Sequence, residues 1–160
     1  MAIWRDSFPL ELVNQHSQDT LVSHLGIEFI EAGDDYVTAR MPVDARTRQP
    51  AHVLHGGASL VLAETLASWA ATFVVDREEQ YCVGLEINAN HVRAVSSGWV
   101  TGTARPVHLG RSTQVWEVRI TDESDRLSCV SRVTMAVLAT PNRYGNPPEA
   151  TSSRARPTGA

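Results

Sequence analysis

Gln49-Pro50-Ala51-His52-Val53-Leu54-His55-Gly56-Gly57-Ala58-Ser59-Leu60-Val61-Leu62-Ala63-Glu64-Thr65-Leu66-Ala67-Ser68-Trp69 is the stretch around which the rest of the chain must be arranged. From His55 to Val75 the residues are mostly Ala, Leu, Ser and Val, apolar or small around nearly the whole circumference of a helix, which predicts a buried helix rather than a surface one. One carboxylate, Glu64, interrupts it. Desolvating an ionised carboxylate is costly and raises its pKa, so Glu64 is either a base or nucleophile beside a substrate, or one half of a buried ion pair or a capped structural acid.

On the N-terminal side of this helix, helical patterns at about 7–16 and 20–25 lead into Gly26-Ile-Glu-Phe-Ile-Glu-Ala-Gly33 and Tyr36-Val-Thr-Ala-Arg-Met-Pro-Val43, which alternate around Asp34-Asp35 and read as a hairpin. Residues 44–54 read as a loop. On the C-terminal side, four strand-like segments at about 81–92, 98–108, 112–122 and 127–138 are separated by Ser96-Ser97-Gly98, Leu109-Gly110 and Asp122 to Asp125. One long helix followed by an antiparallel meander is an α+β layout, with the sheet curled around the helix. Residues 1–138 read as one domain, and the proline-, serine- and arginine-containing stretch 139–160 reads as a disordered tail.

Composition narrows the function classes. The chain has 160 residues and a net charge of −4, with its basic residues scattered, which argues against a nucleic-acid surface. All 14 basic residues are arginines, so Schiff-base catalysis by a lysine is excluded and planar guanidinium groups are left for phosphate contacts. Cys82 and Cys129 form no C-x-x-C pair, which indicates neither zinc nor a disulfide framework and fits a reducing compartment. With no signal pattern and no apolar run approaching membrane-spanning length, the expectation is a soluble cytoplasmic protein with no membrane partner.

Gly56 and Gly57 strip side chains from the helix start, so unpaired N–H groups and the positive end of the helix dipole can approach a carbonyl oxygen. Close packing of helix on sheet explains the same pair equally well. Glu64 lies about 12 Å along the axis from Gly56, too far for both to engage one carbonyl in one chain. Two helices meeting about a two-fold axis would place Gly56 of one opposite Glu64 of the other and form two composite sites. Ser68, at i+4, shares the Glu64 face and could orient the carboxylate, or could bond back to the preceding turn. Gln49 could fix a substrate or water, or simply face solvent. His55 could be a general acid or a donor to a thioester oxygen, or structural. His52 lacks partners at ligand spacing, so no metal is expected. The His91-Val92-Arg93 and His108-Leu109-Gly110-Arg111-Ser112 segments could hold a phosphate or be solvated strand ends.

Several blocks carry a more specific signal: Gln49-Pro50, Leu54 to Ser59 with Ala63-Glu64, Val83 to Arg93, and His108-Leu109-Gly110 with Gln114-Val115-Trp116. Over about residues 3–138 they resemble the hotdog-fold acyl-CoA thioesterases, in the branch of the dihydroxynaphthoyl-CoA and enterobactin-pathway proofreading enzymes. The resemblance implies a central helix wrapped by an antiparallel sheet, homodimers assembling into homotetramers, and hydrolysis of an aromatic acyl-CoA, as in menaquinone biosynthesis. It implies no metal and no cofactor beyond the CoA of the substrate. Residue by residue it implies Glu64 as the catalytic carboxylate, Gly56 N–H as donor to the thioester oxygen, and His55, Gln49 and Ser68 as neighbours in that site. It further implies CoA contacts at Gly84, Asn90, His91, Val92, Arg93, His108, Leu109, Gly110, Arg111, Ser112 and Thr113, and an acyl pocket at Thr65 and Trp69. Trp69, Ala51, His52 and the order Arg111-Ser112 depart from the family pattern. A hotdog hydratase or dehydratase and a non-catalytic acyl-CoA-binding module are the alternative functions.

Overall fold

The computed structural model describes residues 1–140. In chain order its elements are α1 (Leu10–His16), α2 (Leu21–His24), β1 (Glu28–Ala32), β2 (Val37–Pro42), α3 (Gly56–Val74), β3 (Gln80–His91), β4 (Trp99–Leu109), β5 (Thr113–Asp122) and β6 (Leu127–Ala139). The predicted elements are all present, with ends moved by up to three residues. The expected domain end after residue 138 falls inside β6, where Ala139 pairs with Gln80. Of the tail, residues 141–160 lie outside the described residues.

All strand pairs are antiparallel, in the order β1-β2-β4-β5-β6-β3. The β1–β2 hairpin forms one edge and β3 the other, so α3, which connects β2 to β3, crosses the sheet from side to side. Its buried residues Ala58, Ser59, Leu62, Ala63, Leu66, Ala67, Ala70, Ala71 and Phe73 recur at helical spacing and form the face laid on the strands. Alanines let the backbone come close; the sheet makes room in turn at Gly102, where a Cβ would stand 2.7 Å from Leu66 Cδ1. Trp116 and Gln114 are buried beneath the helix: the indole N–H donates to Gln114 Oε1 at 3.0 Å, and Gln114 Nε2 donates to Ala71 O at 3.5 Å. This is the helix-in-sheet arrangement of the hotdog fold.

Two expectations need correction. The helix is not covered all round: Leu60, Val61, Glu64, Thr65, Ser68, Trp69 and Thr72 form a second face that remains half-buried, because the sheet wraps only one side of α3. In addition, an apolar run of membrane-spanning length does exist. Gly56–Val74 has 19 residues, an 18-residue stretch of it has a mean hydropathy of 1.3, and this apolar composition is accounted for by burial of half of that stretch inside the fold.

Candidate active site

The loop before α3 is a set of pinned turns. Thr47 is buried, its Oγ1 donates to Pro42 O at 2.6 Å, and His55 N–H donates to Thr47 O at 2.8 Å. Gln49 N–H donates to Val53 O at 2.9 Å, and His52 closes that turn in the left-handed region at φ 59. Leu54 N–H reaches Val95 O at 2.7 Å. These bonds fix where α3 begins and hold the Gln49 amide beside it.

His55 is the N-cap, extended at φ −71 and ψ 132, and its Nδ1 accepts from Gly57 N–H at 2.8 Å. The neutral ring therefore carries its proton on Nε2, which makes His55 an exposed donor. Ala58 and Ser59 N–H both donate to His55 O. Of the first-turn donors, only Gly56 N–H has no acceptor among the described residues. A free N–H at the positive end of a 19-residue helix suits a developing oxyanion.

A cavity of about 470 Å³ opens at this point, lined by Gln49, Leu54, Gly56, Ser59, His91 and Arg93 among others. His91 reaches it because of a β-bulge. The β3–β6 register slips between Gly84 and Glu86, so the residues facing α3 change from Cys82 and Gly84 to Ile87, Ala89 and His91. His91 Nε2 lies 3.3 Å from Gly56 O, and a Cβ on Gly56 would stand 3.1 Å from the ring. Asn90 faces away from α3 and does not line this cavity; Val92 and Arg93 do.

Glu64 belongs to a different groove, of about 330 Å³, formed by Leu21 of α2, Leu60, Val61, Thr65 and Ile87. Burial pushes its carboxyl above the ordinary value of 4.5, and Ser68 Oγ, donating to Oε1 at 3.4 Å, partly offsets this. No arginine pairs with it among the described residues, which disfavours the buried ion pair. Gly84 lies directly against the carboxylate, and any Cβ there would collide with Oε1. Gly84 thus makes the space in which Glu64 sits. Trp69, further along the same half-buried face, stacks on Phe73 at 5.9 Å and meets the edge of His16 at 6.5 Å.

The remaining positions expected at CoA lie elsewhere. His108 and Leu109 end β4, Thr113 begins β5, and the turn between them is closed by Gly110 N–H donating to Thr113 O at 2.9 Å. Across β6 this turn is level with Val83 and Gly84: Thr113 pairs with Ala136, and Ala136 with Val83. His91 to Arg93 lie at the other end of β3, so one protomer does not gather the two blocks into one surface. Leu21, Leu60, Val61 and Ile87 line the Glu64 groove and were not among the expected site residues. The spacing of Leu60, Val61 and Glu64 could have indicated one helix face, whereas nothing local marks Leu21.

Burial holds the Cys82 thiol at about 11, so it is protonated at neutral pH and is a poor nucleophile. Glu64 is a half-buried carboxyl with a raised pKa that lines a groove.

Known proteins place this arrangement. The thioesterase superfamily model matches residues 51–129. The proofreading thioesterase EntH of Cronobacter turicensis is 52% identical over 136 residues, covering 85% of this chain and 98% of its own. The 1,4-dihydroxy-2-naphthoyl-CoA hydrolase of Escherichia coli is 49% identical over 136 residues, covering 85% and 99%. A solved mutant thioesterase from Pseudomonas aeruginosa superposes with a TM-score of 0.86 at 47% identity, over 87% of this chain and 100% of that one. With a helix-in-sheet fold, a free N–H at the helix start and relatives of this similarity, the chain belongs to the thioesterase superfamily and is a hotdog-fold thioester hydrolase.

Proposed function

We propose that the protein hydrolyses an aromatic acyl-CoA, of the dihydroxynaphthoyl or hydroxybenzoyl type, at two composite sites of a homodimer that assembles further into a tetramer. The observation that carries this reading is the division of the machinery along α3. Gly56 N–H and Glu64 stand in separate cavities, about 12 Å apart along the helix axis, and neither cavity holds both groups. A second copy supplies each half-site with the other.

Two features favour that pairing. β3 is an edge strand of 12 residues with Tyr81, Val83 and Leu85 exposed, a template for continuing the sheet into a second copy. The half-buried face of α3, with Leu60, Val61 and Trp69 among Glu64, Thr65, Ser68 and Thr72, is left for the partner's helix. The groove beside Glu64 is lined largely by apolar side chains, suited to a flat ring system, and the Escherichia coli relative is named for a naphthoyl-CoA. His91 and Arg93 at one site and the His108 to Thr113 turn at another would then serve the CoA phosphates.

In the reaction, the thioester oxygen accepts from Gly56 N–H while the partner's ionised Glu64 acts on the carbonyl carbon. Either the carboxylate attacks, the CoA thiolate leaves and water cleaves the resulting anhydride, or the carboxylate takes a proton from water as that water attacks. Both routes end in a free acid and a CoA thiol. Incorporation of ¹⁸O from solvent into Glu64 in a single turnover identifies the first, since only an anhydride cleaved at the Glu64 carbonyl puts solvent oxygen there. Neither route uses a cofactor. The substrate assignment is tested by thiol release over benzoyl-, hydroxybenzoyl-, naphthoyl- and straight-chain acyl-CoA. Turnover of the aromatic esters is expected to dominate; turnover of long straight-chain esters alone would defeat the aromatic assignment.

A further inference from the structure

Ser59 is 1% exposed, and its Oγ is the buried side-chain atom left without a hydrogen-bond partner among the described residues. A serine inside a helix ordinarily satisfies its hydroxyl by donating to the carbonyl four residues back. Here that carbonyl is His55 O, which already accepts from Ala58 N–H and Ser59 N–H. An unpartnered buried hydroxyl is a cost the fold could avoid with alanine, the best helix former. Ser59 nevertheless lines the cavity at the start of α3, together with Gly56 and Gln49. The Cα–Cβ bond of a helical residue tilts toward the N-terminus, so Ser59 Cβ leans toward the first turn and a rotation about χ1 brings Oγ to it.

That turn is short of donors. Gly57 N–H is taken by His55 Nδ1 and the next two by His55 O, which leaves Gly56 N–H as the sole free backbone donor for an oxygen that gains negative charge during acyl transfer. We propose that Ser59 is a catalytic residue of this enzyme, its Oγ–H donating to the oxygen seated on Gly56 N–H and completing a two-donor oxyanion site. No proton is transferred: the hydroxyl donates a hydrogen bond that strengthens as the thioester oxygen becomes an oxyanion, and relaxes when the thiolate leaves and the carbonyl re-forms.

The inference rests on the proposed thioester site and has its own test. Ser59→Ala and Ser59→Cys, the second close to serine in volume but a poor donor, are compared with wild type for thiol release and thermal melting. Loss of a donor used in the transition state is expected to lower kcat by about 10²-fold with KM within about threefold. Loss of an unsatisfied buried hydroxyl is expected to leave the Tm of Ser59→Ala unchanged or raise it. A kcat within about twofold of wild type in either variant overturns the inference. A fall in Tm in Ser59→Ala assigns the hydroxyl a structural bond and also overturns it. Wild-type protein that releases no thiol defeats the hydrolytic reading itself, and this inference with it.

Discussion

Glu64 carries a raised pKa because it is half-buried, with Ser68 its one donor among the described residues, and that sets a stability cost and, on the proposed mechanism, an activity limit. The acid binds its proton more tightly folded than unfolded. Its contribution to stability is therefore fully present below the ordinary value of 4.5 and is lost as the pH rises through the raised folded value. Glu64→Gln, which cannot ionise, should melt higher than wild type at neutral pH, and the difference should vanish in acid. Thermal melts across the range check this sign. The same variant should lose at least about 10³-fold in kcat, about 4 kcal/mol, in a thiol-release assay. Wild-type kcat/KM should fall on the acid side with a midpoint above the ordinary value of 4.5. Gly84→Ala tests the space around the same group. The colliding atom is the end of a flexible side chain, so the fold should survive with a near-normal Tm while the displaced carboxylate lowers kcat by about 10²-fold. The exceptional position of Glu64 was legible in the sequence because a lone acid in an apolar helix has few explanations. The contact between Gly84 and Glu64 was not, because it is made across the fold; resemblance implies a CoA contact for Gly84, and the geometry adds its place against Glu64.

Helix α3 and strand β3 were both recognisable from local patterns: small and apolar residues at helical spacing for one, alternation and turn signals for the other. Simple alternation nevertheless fails along β3, because the bulge after Gly84 inverts which residues face the helix. Without it His91 would point away from Gly56, and bulges leave no reliable mark in a single sequence. The half-buried face of α3 was equally hidden, since an apolar helix gives no sign of which side the sheet leaves open. Both elements bear on assembly. β3 ends the sheet with exposed Val83 and Leu85, and charged side chains are what edge strands use to avoid pairing. The double substitution Val83→Lys with Leu85→Lys should shift the protein to monomers in sedimentation experiments and abolish turnover along with the dimer. Retention of full activity by a monomer would separate catalysis from β3 pairing.

Across the whole molecule, the six-stranded sheet holds one long helix so that its first turn and its midpoint open into different cavities. The sequence supplied the helix length and thus the separation; the two-cavity division needed the fold, since it depends on Leu21, Ile87 and His91 arriving from other elements. Proline at position 56 removes the N–H donor and keeps the backbone path: first helical positions accept proline, His55 already has the extended ψ of 132 that a following proline requires, and the added Cβ meets the His91 side chain at 3.1 Å, which must shift slightly. Gly56→Pro and Glu64→Gln should each be inactive alone, because every site in either homodimer lacks one half. Mixed under conditions that exchange subunits, half of the dimers are hybrids, and each hybrid carries one intact site. Thiol release by the equimolar mixture should therefore recover to about a quarter of the wild-type rate. A mixture that stays at the level of its inactive parents, despite demonstrated subunit exchange, would contradict a site shared between the start of one helix and the middle of its neighbour.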